Sequence, residues 1–254
     1  LCLLYYNNTI QMAINVNTVY QTVLLILNKE QRGYITPTEF NSLGTQVQRE
    51  IFEKYFEDLN QQLRVPQTDT DYADRVENLD EKIAIFKTFG DASYVTFNNL
   101  SYWVLPNATA YGDGATFYRL GTVLYNNEIE VERLDRKDFY HIDKSLLTKP
   151  SKTFPVYLYE NEKLFIKPTT ITTAGDIQID YLRTPVNPVW GFTTGSLGQY
   201  IYETSSSIDF ELHISEQTNV ILQILKYAGV IIKDPEIIQV AAQEVAMNEQ
   251  NEKI

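Results

Sequence analysis

The spacing of apolar residues changes twice along the chain, from a helical period to an alternating one and back. Val19, Val23, Leu24, Ile26 and Leu27 recur at helical spacing after Asn15 or Asn17, either of which can cap the helix, and Gly33 is suited to stop it. Thr36-Pro37-Thr38-Glu39 then reads as a capping box with proline at the first helical position. Behind it Phe40, Leu43, Val47, Ile51, Tyr55, Leu59 and Leu63 form one stripe that ends at Val65-Pro66. Such a helix, about seven turns long and apolar on one side only, requires partner helices.

Residues 67–81 are polar and rich in Asp, as in a linker or exposed loop. From about Ile83 to Tyr202 the pattern is β: Ser93–Phe97, Ser101–Leu105, Phe117–Tyr125, Glu128–Leu134, Pro155–Tyr159, Lys163–Lys167 and Asp176–Arg183 are short runs rich in Tyr, Val, Ile, Phe and Thr. Ile177, Ile179 and Tyr181 alternate with Gln178, Asp180 and Leu182, and Asn126-Asn127 and Glu160-Asn161-Glu162 are hairpin turns. A short helix is expected over Arg136–Leu146 and a loop over Gly191–Gly198. Ser215 can cap a further helix through Val220, Ile221, Ile224, Leu225 and Ala228, ended by Gly229. Asp234-Pro235 opens another with Ile237, Ile238, Val240, Ala241 and Val245.

The expected fold class is therefore α+β: a helical bundle from N- and C-terminal helical hairpins, with a central, mostly antiparallel β domain inserted. The bundle comprises 12–66 plus 207–254, the linker 67–82 and the β-rich domain 83–206. Residues 1–11 differ in character from the rest of the chain. Met12-Ala13 is a common start, so 1–11 are expected to be a non-native or upstream leader. A signal peptide is the rival reading, but no basic region precedes Leu3–Tyr6 and no Ala-x-Ala site follows.

Charge narrows the function classes. The chain has 21 Lys and Arg against 33 Asp and Glu, a net −12, which argues against gripping nucleic acid by its phosphates or binding anionic membranes. Duplex DNA can slide past such a surface without adhering. Eighteen Tyr suit β surfaces and protein interfaces. A single cysteine, Cys2, makes no intrachain disulfide and fits assembly in a reducing compartment.

Motifs for chemistry are weak. Asp69, Asp71 and Asp74 cluster without the spacing and Gly of a calcium loop. Gly112-Asp113-Gly114 reads as a turn, and Gly191, Gly195 and Gly198 lack the Gly-Lys-Ser/Thr ending of a phosphate loop. His141 and His213 are far apart and do not make a metal site; His213 reads as a helix-start or interface residue rather than a base. There is no Gly-x-Ser-x-Gly elbow, and chance carboxylate pairs carry no weight among 33 acids. Catalytic, cofactor-binding and metal-ligating residues are all expected to be none.

Several segments together carry a resemblance. They are Gly33-Tyr34-Ile35-Thr36-Pro37-Thr38-Glu39-Phe40-Asn41, Lys167-Pro168-Thr169-Thr170-Ile171, Ile179–Pro185, Pro188-Val189-Trp190-Gly191, Asp209–His213, Ile224–Val230 and Asp234-Pro235-Glu236 with Gln239–Gln243. The combination resembles virion structural proteins of crAss-like phages and related short-tailed phages of Bacteroidota, the ring or adaptor subunits between portal and tail. It spans nearly the whole chain from Met12. The resemblance implies a closed homo-oligomeric ring with the portal's twelvefold symmetry, assembled in the host cytoplasm and located in the neck of the virion. The partners it implies are other copies, the portal, other neck or tail rings, and double-stranded DNA that passes through without sequence-specific binding. It implies no catalytic residues to carry over; no cofactor is expected, and no membrane either, since no stretch approaches the roughly 20 apolar residues of a span, the run Thr22–Leu27 being far too short. The polar tail, through Glu244, Met247, Asn248, Glu252 and Ile254, is the first candidate for contact with the portal. Competing expectations are another virion role (tail-tube or decoration protein), a virion-associated glycan or cell-wall hydrolase, and a soluble host binding module.

Overall fold

The computed structural model describes residues 13–29, 34–62, 79–98, 100–106, 116–145, 147–232, 239 and 242–247. The expected leader, Gly33, the Asp69–Asp74 cluster, Gly112-Asp113-Gly114 and tail residues Asn248, Glu252 and Ile254 lie outside them. Among the described residues the chain is α+β and divides into two compact units, one of residues 1–85 with 185–254 and one of residues 86–184.

In the first unit α1 spans Val16–Lys29 and α2 spans Pro37–Gln62. Asn15, not Asn17, caps α1: its Oδ1 accepts from the Thr18 amide at 3.0 Å. Asp209, distant in sequence, accepts from the Val16 amide at 2.8 Å, satisfying a second orphan donor. Val16, Val19, Tyr20, Val23 and Leu27 are buried. Ile26, expected in that stripe, is exposed instead, because the buried arc runs through positions 16, 19, 20, 23 and 27 and leaves it at the margin. The α2 capping box forms as the sequence predicts. The Thr36 amide donates to Glu39 Oε2 at 2.8 Å, and the Glu39 amide donates to Thr36 Oγ1 at 3.3 Å. The Thr36 amide and the Thr36 hydroxyl, which also donates to Oε2 at 2.7 Å, hold the Glu39 carboxyl below its ordinary range.

Residues 79–84 are helical, so the expected linker of 67–82 ends in ordered structure, and Ile83, read as the start of the β region, is a buried helical residue. The turn is tied down by Lys82, whose Nζ lies 2.6 Å from the buried Glu216 carboxylate and over the Tyr55 ring. His213, not Ser215, caps the following 3₁₀ turn Ile214–Glu216, its ring accepting from the Ser215 amide. α3 (in the second unit) spans Arg136–Ile142, and α4 (in the first) spans Gln217–Ile232. α4 runs through Gly229 rather than ending there, since a buried glycine inside a packed helix need not terminate it. It packs on both α1 and α2, and Tyr227 donates to Glu50 Oε1 at 2.6 Å.

Among the described residues the second unit holds nine strands in two sheets. Strands β1 (Lys87–Asp91), β9 (Ile177–Arg183), β4 (Phe117–Tyr125) and β5 (Ile129–Glu130) form one, in the order β1-β9-β4-β5. Strands β2 (Ser93–Phe97), β3 (Leu100–Val104), β8 (Lys163–Lys167), β7 (Val156–Glu160) and β6 (Glu132–Arg133) form the other, in the order β2-β3-β8-β7-β6. The sheets share a core of Trp103, Val123, Leu164, Ile177, Ile179 and Tyr181, among others. The opposite faces of β7 and β8 pack Val156, Leu158 and Phe165 with Phe139 of α3. Pairings are antiparallel except β6 with β7, which α3 connects. Asn126-Asn127 and Asn161-Glu162 take positive φ, as two-residue hairpin turns require. Gly121 sits where the β4–β9 register shifts; a Cβ there would lie 2.9 Å from the Asp180 carbonyl oxygen.

Thr36→Ala is expected to lower unfolding stability by about 1 kcal/mol, read by urea denaturation. Because Glu39 is held below its unfolded value, its contribution is present above the unfolded carboxylate range and is lost as pH falls through the folded value. The penalty of Thr36→Ala therefore shrinks in acid; an unchanged penalty there would contradict a stabilising bond from the Thr36 hydroxyl to the Glu39 carboxylate.

Candidate interaction surface

Residues 185–202 contain no charged side chain, in a chain that is 21% Asp, Glu, Lys and Arg. At average composition about four would be expected, so the run marks a distinct surface. It belongs to the first unit, whereas the expected β domain reached residue 206. Packing explains the difference: the Trp190 ring packs at a tilt against Tyr20 of α1 with centroids 4.4 Å apart, and its Nε1 donates to Asn17 at 3.0 Å.

Residues 185–191 run without regular secondary structure apart from a bridge at Val189, so buried peptide groups need side-chain partners. Two amides of α2 supply them. Asn41 accepts from the Trp190 amide at 2.8 Å and donates to the Trp190 carbonyl at 3.3 Å. Gln48, fully buried, donates to the Val186 carbonyl at 2.6 Å and accepts from the Glu211 amide at 2.9 Å. Glu211 closes the set, its carboxylate accepting from the Val186 amide at 2.8 Å. Phe210 fits beside Gly44, where a Cβ would meet its ring at 3.3 Å.

This scaffold presents a hairpin that the sequence pattern reads as a loop. β10 (Phe192–Thr194) and β11 (Tyr200–Tyr202) pair antiparallel, and Gly198 takes φ +80° in the turn between them. Trp190, Phe192, Tyr200 and Tyr202 make a chain of ring contacts at 5.0–6.0 Å along its base. The outer side is apolar and open: Leu197 at the tip is 91% exposed, and Tyr200, Ile201 and Tyr34 are exposed too. Burial and neighbouring Tyr34 push the Tyr20 hydroxyl well above its usual range, and it donates to the Ile35 carbonyl.

Residues singled out from sequence are not gathered here. Glu244 and Met247 lie on a short helical segment, 242–247, and both are exposed. His141 is exposed on α3, and His213 is occupied with Ser215 at 2.8 Å. Among the described residues no group of three His, Cys, Asp or Glu could hold a metal ion, and no helix is long and apolar enough to cross a membrane. The missed signal was legible in principle: eighteen uncharged residues in an acidic chain. Comparison with protein-family models and with curated proteins returns no match.

Gln48→Leu leaves the Val186 carbonyl and the Glu211 amide buried without their partner. A loss of about 2–6 kcal/mol is expected in chemical denaturation, at roughly 1–3 kcal/mol per orphaned group. Arg49→Ala, which removes only an exposed hydrogen bond to Asn187, is expected to change stability by less than about 0.5 kcal/mol. Equal effects would contradict the role given to Gln48.

Proposed function

We propose that this chain is a structural subunit of a phage particle, one protomer of a ring in the head-to-tail connector between portal and tail, lining a channel for DNA. The observation that carries the reading is the uncharged, Tyr-rich hairpin on a rigid scaffold in a chain of net −12. Protein interfaces are depleted of charge and enriched in tyrosine at their centres, and such a surface fits contact between protein subunits better than contact with solvent or phosphate. The resemblance of the Pro188–Gly191 and Asp209–His213 segments to ring proteins of short-tailed phages supports it, since both help build the hairpin's support.

In this reading the α1–α2 pair and the C-terminal helices form one bundle with the β unit inserted, and copies bury surface against each other around an axis. The acidic remainder lets DNA pass without adhering. The segment carrying Glu244 and Met247 reaches toward the portal.

The test is the position of the chain in intact particles by electron microscopy. Density for a closed ring of this chain on the portal–tail axis is expected. Finding it on the capsid surface or in fibres would overturn the reading.

A further inference from the structure

The segment between α3 and β7 has the opposite character to the rest of the chain. From Asp143 to Pro155 there are three Lys against one Asp, a net of +2, so the other residues sum to −14 in a chain of −12. Lys144, Lys149 and Lys152 are exposed. Between and beside them stand two of the most exposed apolar side chains, Leu147 at 98% and Phe154 at 76%.

This loop is built rather than slack. The Lys144 and Ser145 amides donate to the last carbonyls of α3 at 3.1 and 3.2 Å. Ser145 Oγ accepts from the Thr148 amide at 3.2 Å, and Pro150 is buried. Ser151 and Phe154 exchange backbone hydrogen bonds in both directions, and Ser151 Oγ also accepts from the Phe154 amide. The Pro155 carbonyl then accepts from the Glu132 amide of β6. Apolar side chains held outward by a hydrogen-bonded loop lose little freedom when they are covered.

We infer that this loop docks onto an acidic surface of a second copy of the chain, with Phe154 and Leu147 as apolar anchors and Lys144, Lys149 and Lys152 around them. The inference rests on the ring reading and names the segment that makes a head-to-tail contact. Charge complementarity selects the occupant: each copy supplies one small basic loop and an acidic remainder. A basic loop and an acidic face on the same chain permit a head-to-tail contact, the kind that propagates around a ring. Duplex DNA is disfavoured, because the acidic remainder repels phosphate and an aliphatic leucine offers no face for base stacking.

The experiment uses the full chain with benzoylphenylalanine in place of Phe154, irradiated at low salt, with adducts mapped by mass spectrometry. Covalent dimers are expected, joining position 154 to an Asp- or Glu-rich peptide of the second copy. High salt and the K149E/K152E double variant are each expected to reduce the yield about tenfold or more. The inference is overturned by no dimer at any salt, by a dimer indifferent to K149E/K152E, or by adducts to added duplex DNA in place of a second copy. A chain located on the portal–tail axis that yields no such dimer keeps its place in the ring and loses this contact; a dimer from a chain located elsewhere keeps the contact and loses the ring.

Discussion

Two side-chain amides on one face of α2 take the place of a neighbouring strand. Asn41 and Gln48 are seven residues apart, two helical turns, and so point the same way. Between them they satisfy both peptide groups of Trp190, the carbonyl of Val186 and the amide of Glu211. A buried glutamine is tolerable only when both ends of its amide are used, and here they are. The consequence is long-range: residues near the start of the chain fix the course of residues 138 to 163 positions later. Asp209 at the start of α1 and Glu216 against Lys82 extend the same pattern.

That constraint explains why an irregular, proline-containing segment can carry an exposed apolar hairpin. With its backbone satisfied from α2 and its indole packed on Tyr20, the 185–191 stretch becomes a base from which β10 and β11 project. The exposed apolar tip at Leu197 then costs little entropy to cover, as a flexible loop of the same composition would not. The chain thus bears two surfaces of unlike character, an uncharged hairpin in the helical unit and a basic, apolar-tipped loop in the β unit. Both stand out against an acidic background.

What could be read from sequence was what depends on near neighbours. The Thr36–Glu39 box, the bounds of β4 and β8 and the alternation of Ile177, Ile179 and Tyr181 follow from residues within a turn or a strand of one another. What could not be read depends on partners far away. Asn15 and Asn17 look equivalent until Asp209 joins the first and Trp190 the second. Strand β1, Lys-Thr-Phe-Gly-Asp, has little β pattern and is held by pairing with β9. The β10–β11 hairpin reads as a Gly- and Thr-rich loop because its support comes from α1 and α2. Glu216 signals nothing by itself; its burial depends on Lys82.

Amide hydrogen exchange tests the central constraint most directly. The Val186, Trp190 and Glu211 amides bond to side chains rather than to a strand, and the account predicts that they open together with Val47 and Ile51 of α2, with similar protection. Exchange of these three at rates typical of an open loop, while α2 stays protected, would contradict it.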